Sequence, residues 1–183
     1  LGFKATLHSR RRKHEITTQY GKKSFESQEN HLQVCSSEFA FMLREAGMPV
    51  GQKASQNYSV PQWIMKSPAW IKRLFLAGFF GAELTTPQTH SKTGFYAPIL
   101  GQNKNAEFKD NGRRFLIQVM QLLDELGVKT THIAERYEIA NKKGLVVRLR
   151  LEISAEEDNL LKLWRTVGFE YNEKRRDAAQ IAV

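Results

Sequence analysis

The chain of 183 residues lacks several features that would place it in a class at once. It has a single cysteine, Cys35, so no internal disulfide is possible and a reducing compartment is expected. It has no apolar run near the roughly 20 residues that a membrane helix needs, and no signal peptide is visible. We therefore expect a cytoplasmic protein with no membrane partner.

Two kinds of ligand site are also missing from the sequence. The five histidines do not have the spacing of metal ligands, which argues against a zinc site. There is no glycine-rich loop of the kind that cradles phosphates, so the use of nucleoside triphosphates is not indicated.

Positive charge is what the chain has in excess. It carries 28 lysines and arginines against 19 aspartates and glutamates, which gives a formal net charge of +9. Such a balance favours a polyanionic partner. The length is that of one domain, or of a pseudo-twofold domain that lacks a piece, with a real core.

The most informative segment is residues 76–84, Leu-Ala-Gly-Phe-Phe-Gly-Ala-Glu-Leu. Ser67 and Pro68 predict the start of a helix that runs to Glu83. Small residues at 77, 78, 81 and 82 leave one helix face nearly bare, so a second helix could approach closely. Glu83 at the helix C-terminus favours a cation there. The alternative is an amphipathic core helix with small residues for packing.

This segment resembles the LAGLIDADG motif of the homing endonucleases that introns and inteins encode. Residues 76–78 match the first three motif positions, and residues 82–83 match the small-then-acidic ending. The acid of the family falls on Glu83. Gly81 and Leu84 depart from the pattern.

An internal repeat supports the resemblance. Residues 1–6 are similar to residues 126–131, with an offset of 125. Four further positions match at a constant offset of 121, pairing Phe39, Leu43, Gly47 and Lys53 with Leu160, Trp164, Gly168 and Lys174. We therefore divide the chain into 1–66, the C-terminal part of a first LAGLIDADG repeat, and 67–183, a second repeat.

The second repeat is the more complete of the two. Its pattern predicts a helix at 67–83, a strand at 95–100, a helix at 113–126, strands at 131–139 and 145–153, and a helix from the Ser154–Glu157 capping box to 167. The resemblance implies an α+β LAGLIDADG homing-endonuclease fold, with αββαββα pseudo-twofold repeats and a DNA-binding β-saddle.

The first repeat lacks its own motif helix, and the sequence begins with Leu1. We therefore expect a fragment or a processed product of a longer protein. The second motif helix and its acid are expected from missing N-terminal residues or from another chain.

Basic residues cluster in the two predicted hairpin regions. The candidates for DNA contact are Arg10, Arg11, Arg12, Lys13, Lys22 and Lys23 in the first repeat, and Arg136, Lys142, Lys143, Arg148 and Arg150 in the second. Two such hairpins would present strands to the major groove and neutralise phosphates. The alternative is a set of solvated loops.

The resemblance implies a site-specific double-strand DNA endonuclease, intein-encoded, that hydrolyses phosphodiesters with Mg²⁺ or another divalent cation. It assigns Glu83 as metal ligand and catalytic acid. Lys53 and Lys174, each just after a helix-ending glycine, and Gln102 in a polar turn are the further catalytic candidates. As an intein, the segment would have a host protein as a partner.

Two other functions compete with this one. A catalytically degenerate LAGLIDADG protein, acting as a regulator or a maturase, would bind DNA or RNA without cutting. A single-motif homodimer would pair Glu83 with its own copy, although the leftover first repeat argues against it.

Overall fold

The computed structural model describes residues 2–18, 21–91, 94–141 and 144–181, and the side chains of these except at 16–18 and 138–141. The chain divides into two compact units, Leu1–Met48 and Pro49–Val183. The predicted boundary between 66 and 67 separates sequence repeats rather than compact units, and it stays a prediction.

The first unit is a hairpin followed by a helix. Strands β1 (Ala5–Thr18) and β2 (Gly21–Val34) pair antiparallel along their whole length. Helix α1 (Ser37–Glu45) starts where the side chain of Ser36 accepts a hydrogen bond from the backbone N–H of Phe39. None of the described side chains of this unit is buried, so both faces of the hairpin are accessible to solvent.

The second unit contains a three-stranded antiparallel sheet in the order β3–β5–β4. Its strands are β3 (Ile99–Asn105), β4 (Thr130–Asn141) and β5 (Gly144–Ile153). Apolar and charged residues alternate along β5, so Leu149 and Leu151 are fully buried while Arg148 and Arg150 lie on the opposite face. The two faces that the sequence predicted for this strand are confirmed.

The helices of this unit share one core with the apolar face of this sheet. They are α2 (Gln62–Met65), α3 (Ala69–Glu83), α4 (Lys109–Glu125), α5 (Glu157–Lys162) and α6 (Glu173–Gln180). Helix α4 buries a stripe that includes Leu116, Val119 and Leu123 in the same core as β5, and Gly127 ends it at a φ of +73°. Short turns complete the unit: 3₁₀ turns at Lys53–Ser55 and Ala106–Phe108, and a π-helical turn at Leu163–Val167.

Three local predictions differ from the structure. The strand predicted at 95–100 lies at Ile99–Asn105, because this polar stretch pairs with β5. Ser67 does not cap α3; its hydroxyl donates to the carbonyl of Trp63 at the end of α2. Helix α5 has Glu156 as its N-cap, while Ser154 accepts from the Glu156 backbone N–H at 3.3 Å.

One order of elements occurs twice. A β-hairpin, a helix and a glycine with positive φ follow one another as β1, β2, α1 and Gly47, and again as β4, β5, α5 with its π turn and Gly168. Three of the four pairs matched at the offset of 121 therefore occupy corresponding places, whereas Lys53 begins a 3₁₀ turn and Lys174 lies in α6.

Within the described ranges, every helix is too short or too polar to cross a bilayer. The compartment stays a prediction.

Candidate functional site

The bare face of α3 packs against backbone from the same unit. A Cβ built on Gly81 would lie 2.2 Å from the carbonyl oxygen of Glu170, far inside van der Waals contact. The backbone N–H of Glu170 donates to the carbonyl of Ala77 at 3.0 Å. Ala77 and Gly81 are therefore small because the Glu170 backbone lies against them, whereas the sequence predicted a second helix there.

The C-terminus of α3 is held by polar side chains from α6 and its N-cap residue. Arg175 donates from one guanidinium nitrogen to the carbonyls of Phe80 and Gly81, at 2.9 and 2.7 Å. Asn172 donates to the Gly81 carbonyl at 2.7 Å. The expectation of a cation at this helix end is met by a guanidinium, which complements the negative end of the helix dipole.

Glu83 lies at the same helix end and pairs with a lysine. Its carboxylate is 3.3 Å from Nζ of Lys53, and both side chains are partly exposed. Burial lowers the pKa of Arg175, and the negative charge of Glu83 opposes that effect. The structure thus brings together Glu83 and Lys53, two of the four predicted catalytic residues.

A fully buried lysine fixes the segment that carries Lys53. The ammonium of Lys104 donates to the carbonyls of Lys53 and Gln56, at 2.9 and 2.7 Å, and to Oδ1 of Asn111 at 3.3 Å. It also lies 3.8 Å from the centre of the Tyr58 ring, in cation–π geometry. Burial lowers the pKa of Lys104 to about 8.

Gln102 lies next to this cluster. Its amide nitrogen donates to the Tyr58 hydroxyl at 2.9 Å, and its Oε1 is buried with no hydrogen-bond partner among the described residues. Burial, with a further contribution from the charge of Glu83, raises the pKa of Tyr58 to about 12. The Tyr58 hydroxyl therefore stays neutral at ordinary pH.

The remaining catalytic and metal predictions gain no support from this geometry. Lys174 is exposed, and its neighbour Arg175 is the residue that reaches α3. No group of three His, Cys, Asp or Glu side chains among the described residues could hold a metal ion. Glu83 supplies one carboxylate, which is paired with Lys53, and Mg²⁺ at Glu83 and the catalytic roles stay predictions.

A second constellation lies on the β1–β2 hairpin of the first unit. Residues opposite each other in an antiparallel pair share a face, as do alternate residues of one strand. One face therefore carries His8, Arg10, Arg12 and His14 from β1 with Phe25, Ser27, Glu29 and His31 from β2.

Glu29 organises the cations of this face. Its carboxylate is 3.0 Å from Arg10, 3.5 Å from Arg12 and 3.7 Å from the His14 ring. The hydrogen bond from Arg10, with the charges of Arg12 and Arg10, lowers the pKa of Glu29. The carboxylate is therefore ionised at neutral pH and lies between two guanidinium groups.

Two stacked ring pairs flank these charges. The rings of His8 and His31 stack at 4.8 Å between centroids, and those of His14 and Phe25 stack at 4.9 Å. Phe25 is 48% exposed, so its ring is available for a further contact. A surface on which aromatic rings flank guanidinium groups suits unpaired bases joined by phosphates.

The other predicted basic residues fall into three sets. Arg11, Lys13, Lys22 and Lys23 are exposed on the same hairpin. Arg136 of β4 lies directly opposite Arg148 of β5, and Arg150 follows on the same face. Like charges in that position repel, so a bound polyanion would stabilise the pair. Lys142 and Lys143 lie outside the described residues.

Comparisons with known proteins connect this chain to longer ones. The tRNA-splicing ligase RtcB of Methanopyrus kandleri is 37% identical over 179 residues, which are 96% of this chain and 17% of that protein. The tRNA-splicing ligase RtcB of Pyrococcus furiosus is 36% identical over 183 residues, 100% of this chain and 18% of that protein. The chain thus spans less than a fifth of the length of these curated relatives.

The same stretch is also similar to parts of proteins with other names. In Methanocaldococcus jannaschii, the DNA-directed RNA polymerase subunit Rpo1N is 25% identical over 169 residues, 92% of this chain and 12% of that protein. The replication factor C small subunit of that organism is 26% identical over 155 residues, 84% of this chain and 8% of that protein. No family model and no solved structure matches the chain.

These names contradict the LAGLIDADG assignment. Relatives that are 36–37% identical over nearly the whole chain are named as RNA ligases, not as homing endonucleases. The nine-residue motif misled because small residues at 77 and 81 have a packing reason inside the unit, namely the close approach of the Glu170 backbone.

The functional predictions that followed from that assignment are corrected with it. The names contradict a DNA endonuclease, phosphodiester hydrolysis, an intein with a host protein, and double-stranded DNA as partner. They do not support the degenerate LAGLIDADG regulator or maturase either. The individual site residues stay predictions, as does the α+β LAGLIDADG fold beyond the observed mixture of helices and sheets.

Proposed function

We propose that this chain is an RNA-binding module of a larger protein, and that the β1–β2 hairpin is its RNA-binding surface. The observation that carries the proposal is the hairpin face on which Arg10 and Arg12 lie between the His8–His31 and His14–Phe25 ring pairs. Guanidinium groups contact phosphates, and exposed rings stack on unpaired bases.

The names of the relatives support RNA as the ligand and binding as the activity. The relatives at 36–37% identity are named for tRNA splicing, and the chain corresponds to less than a fifth of each. A stretch shared with a polymerase subunit and a replication factor cannot be what makes one of these proteins a ligase. We therefore assign ligation to the other parts of such proteins and RNA binding to this part.

Reversing one hairpin charge should weaken RNA binding about tenfold, because Arg12→Glu removes a phosphate contact and adds a repelling charge. The measurement is fluorescence anisotropy of a labelled single-stranded RNA titrated with the 183-residue chain. Repeating it from about 50 to about 200 mM salt gives the number of phosphate contacts from the slope of log affinity. A duplex DNA competitor of the same sequence should displace the RNA poorly.

The matched control is Arg44→Glu, which makes the same charge change on α1 of the same unit. It should leave the affinity within about twofold of the parent. Equal losses of RNA affinity in the two variants would mean that RNA is attracted by the overall charge of the protein, and would contradict a binding site on the hairpin. Preferential binding of the duplex DNA would contradict RNA as the ligand.

Removing an exposed ring should weaken binding without changing its salt dependence. Phe25→Ala takes away a stacking surface worth about 1 kcal/mol, which is roughly a fivefold loss of affinity, but no charge. Phe41→Ala, which removes an exposed ring of α1, is the control and should have no effect. A changed salt slope in Phe25→Ala, or no loss at all, would argue against base stacking on the hairpin.

A further inference from the structure

A cavity in the second unit has no role in the proposed RNA binding. It lies between α3, the π-helical turn after α5 and the helix α6, and its volume is about 390 Å³. That volume is in the range of pockets that hold small organic ligands. The lining side chains that bear on its chemistry are Arg73, Arg165, Arg176, Glu170, Trp164 and Phe169.

The walls of this cavity are held in place by main-chain contacts. The π-helical turn Leu163–Val167 ends at Gly168, whose φ of +72° turns the chain toward α3. The backbone N–H of Glu170 then donates to the Ala77 carbonyl. Nε of Arg73 donates to the carbonyl of Thr166 at 3.3 Å, which ties α3 to the turn. Single π turns in helices are frequent at functional sites.

The lining carries an excess of positive charge. Arg73 forms an ion pair at 3.1 Å with Glu170, the one carboxylate among the described residues that line the cavity. Arg165 has no carboxylate within ion-pairing distance among the described residues. Arg176 is 3.8 Å from Asp177, which does not line the cavity. Two guanidinium groups are thus left without a carboxylate inside the cavity.

The aromatic wall adds an apolar surface and an unused donor. Trp164 is 8% exposed, and its ring packs edge-on against Phe95 at 5.0 Å. Its Nε1–H is buried and has no hydrogen-bond partner among the described residues. An unpaired buried donor is costly, and this one belongs to a residue that lines the cavity.

We propose that this cavity binds a phosphate monoester, with Arg165 and Arg176 holding the phosphate and Trp164 and Phe169 facing the attached organic group. A phosphate dianion matches in charge the two guanidinium groups that have no carboxylate partner among the described lining residues, and guanidinium forks bind phosphate oxygens in pairs. The phosphate of a free nucleotide and the terminal phosphate of an RNA strand share this chemistry.

Isothermal titration calorimetry of the 183-residue chain with adenosine 5′-monophosphate tests the proposal, with adenosine as the uncharged counterpart. We expect binding of the monophosphate only, and a loss of about tenfold in affinity in Arg165→Ala and again in Arg176→Ala. Arg165 is exposed and Arg176 is 52% exposed, so both variants should fold. Arg114→Ala, the same change at an exposed site on α4, should bind as the parent does.

A further variant and two competitors distinguish binding in this cavity from binding to the β1–β2 hairpin. Arg12→Glu should bind the monophosphate normally. A second experiment offers RNA trinucleotides as competitors of the bound nucleotide. Displacement by the 5′-phosphorylated trinucleotide, but not by its 5′-hydroxyl form, would identify an RNA end as a ligand, and displacement by neither trinucleotide would identify a free nucleotide as the ligand. No binding of the monophosphate, equal binding of adenosine, or an equal loss in Arg114→Ala would overturn the proposal.

Discussion

Lys104→Met should lower the free energy of unfolding by about 3 kcal/mol at pH 7, because acceptors that Lys104 now satisfies lose their donor. These are the carbonyls of Lys53 and Gln56 and the amide oxygen of Asn111. Methionine fills much of the same volume, so the loss reports the ammonium group and not a cavity. Urea unfolding followed by circular dichroism measures it.

The control for this variant is Lys53→Met, the same replacement at an exposed lysine. The ammonium group of Lys53 has one ion-pair partner among the described residues, Glu83, and a surface ion pair contributes about 0–1 kcal/mol. We therefore expect a small change there, with the carbonyl of Lys53 still in place. Equal stability of Lys104→Met and the parent would show that the ammonium of Lys104 is not part of what holds this segment.

Lys104 also makes the stability depend on pH. Burial lowers its pKa to about 8, whereas the lysine of an unfolded chain titrates near 10.4. Between these values the unfolded chain holds more protons, so the free energy of unfolding should rise from about pH 8 to about pH 10, by at most about 1.4 kcal/mol per pH unit. Tyr58, with its pKa raised to about 12, acts in the opposite direction only above about pH 10. The rise should be absent in Lys104→Met.

Gly81→Ala should lower the free energy of unfolding by about 2 kcal/mol, although alanine is the better helix former. The new Cβ would meet the carbonyl oxygen of Glu170 at 2.2 Å. That oxygen cannot move away cheaply, because the backbone N–H of Glu170 is bonded to Ala77 and the carbonyl of Gly81 is held by Asn172. The same urea titration gives the change.

Gly78→Ala is the matched variant one turn earlier on the same helix. There a Cβ would have only the ring of Tyr171 nearby, at 4.0 Å, which is ordinary contact. We expect stability that is unchanged or raised by up to about 1 kcal/mol. A loss as large as that of Gly81→Ala would show that α3 as a whole, and not the approach of Glu170, requires glycine.

Elements with strong periodicity could be predicted from the sequence. The apolar stripe of α4 and the apolar–charged alternation of β5 extend over enough residues to predict the element and its buried face. The tertiary contacts of both elements agree with that prediction. Strand β3 was misplaced because its polar residues 101–105 have no apolar alternation, and their strand conformation comes from pairing with β5. The 14-residue strands of the first hairpin give no such alternation either, since both of their faces are exposed.

The functional clusters were predicted only in part, for a related reason. Lys53 and Glu83 are 30 positions apart and were named separately, but only the fold shows that they form an ion pair and that Lys104 holds the backbone of Lys53. A single lysine in a polar run carries no sign that it will be buried. Arg175 was missed by one position in favour of Lys174, because spacing does not tell which of two adjacent cations faces α3. The histidines and arginines at positions 8, 10, 12 and 14 do have a period of two, and that signal was available.

The hairpin of the first unit has a consequence for self-association. In a sheet of two strands, each strand has an outer edge whose backbone N–H and C=O groups pair with no further described strand. Fourteen residues of such an edge are a template onto which a second chain can add a strand. Charges along β1, from Arg10 to Lys13, oppose that addition by repulsion. Arg10 and Arg12, which we assign to RNA binding, therefore also oppose strand addition, and a variant that neutralises both should lose affinity for RNA and self-associate more readily.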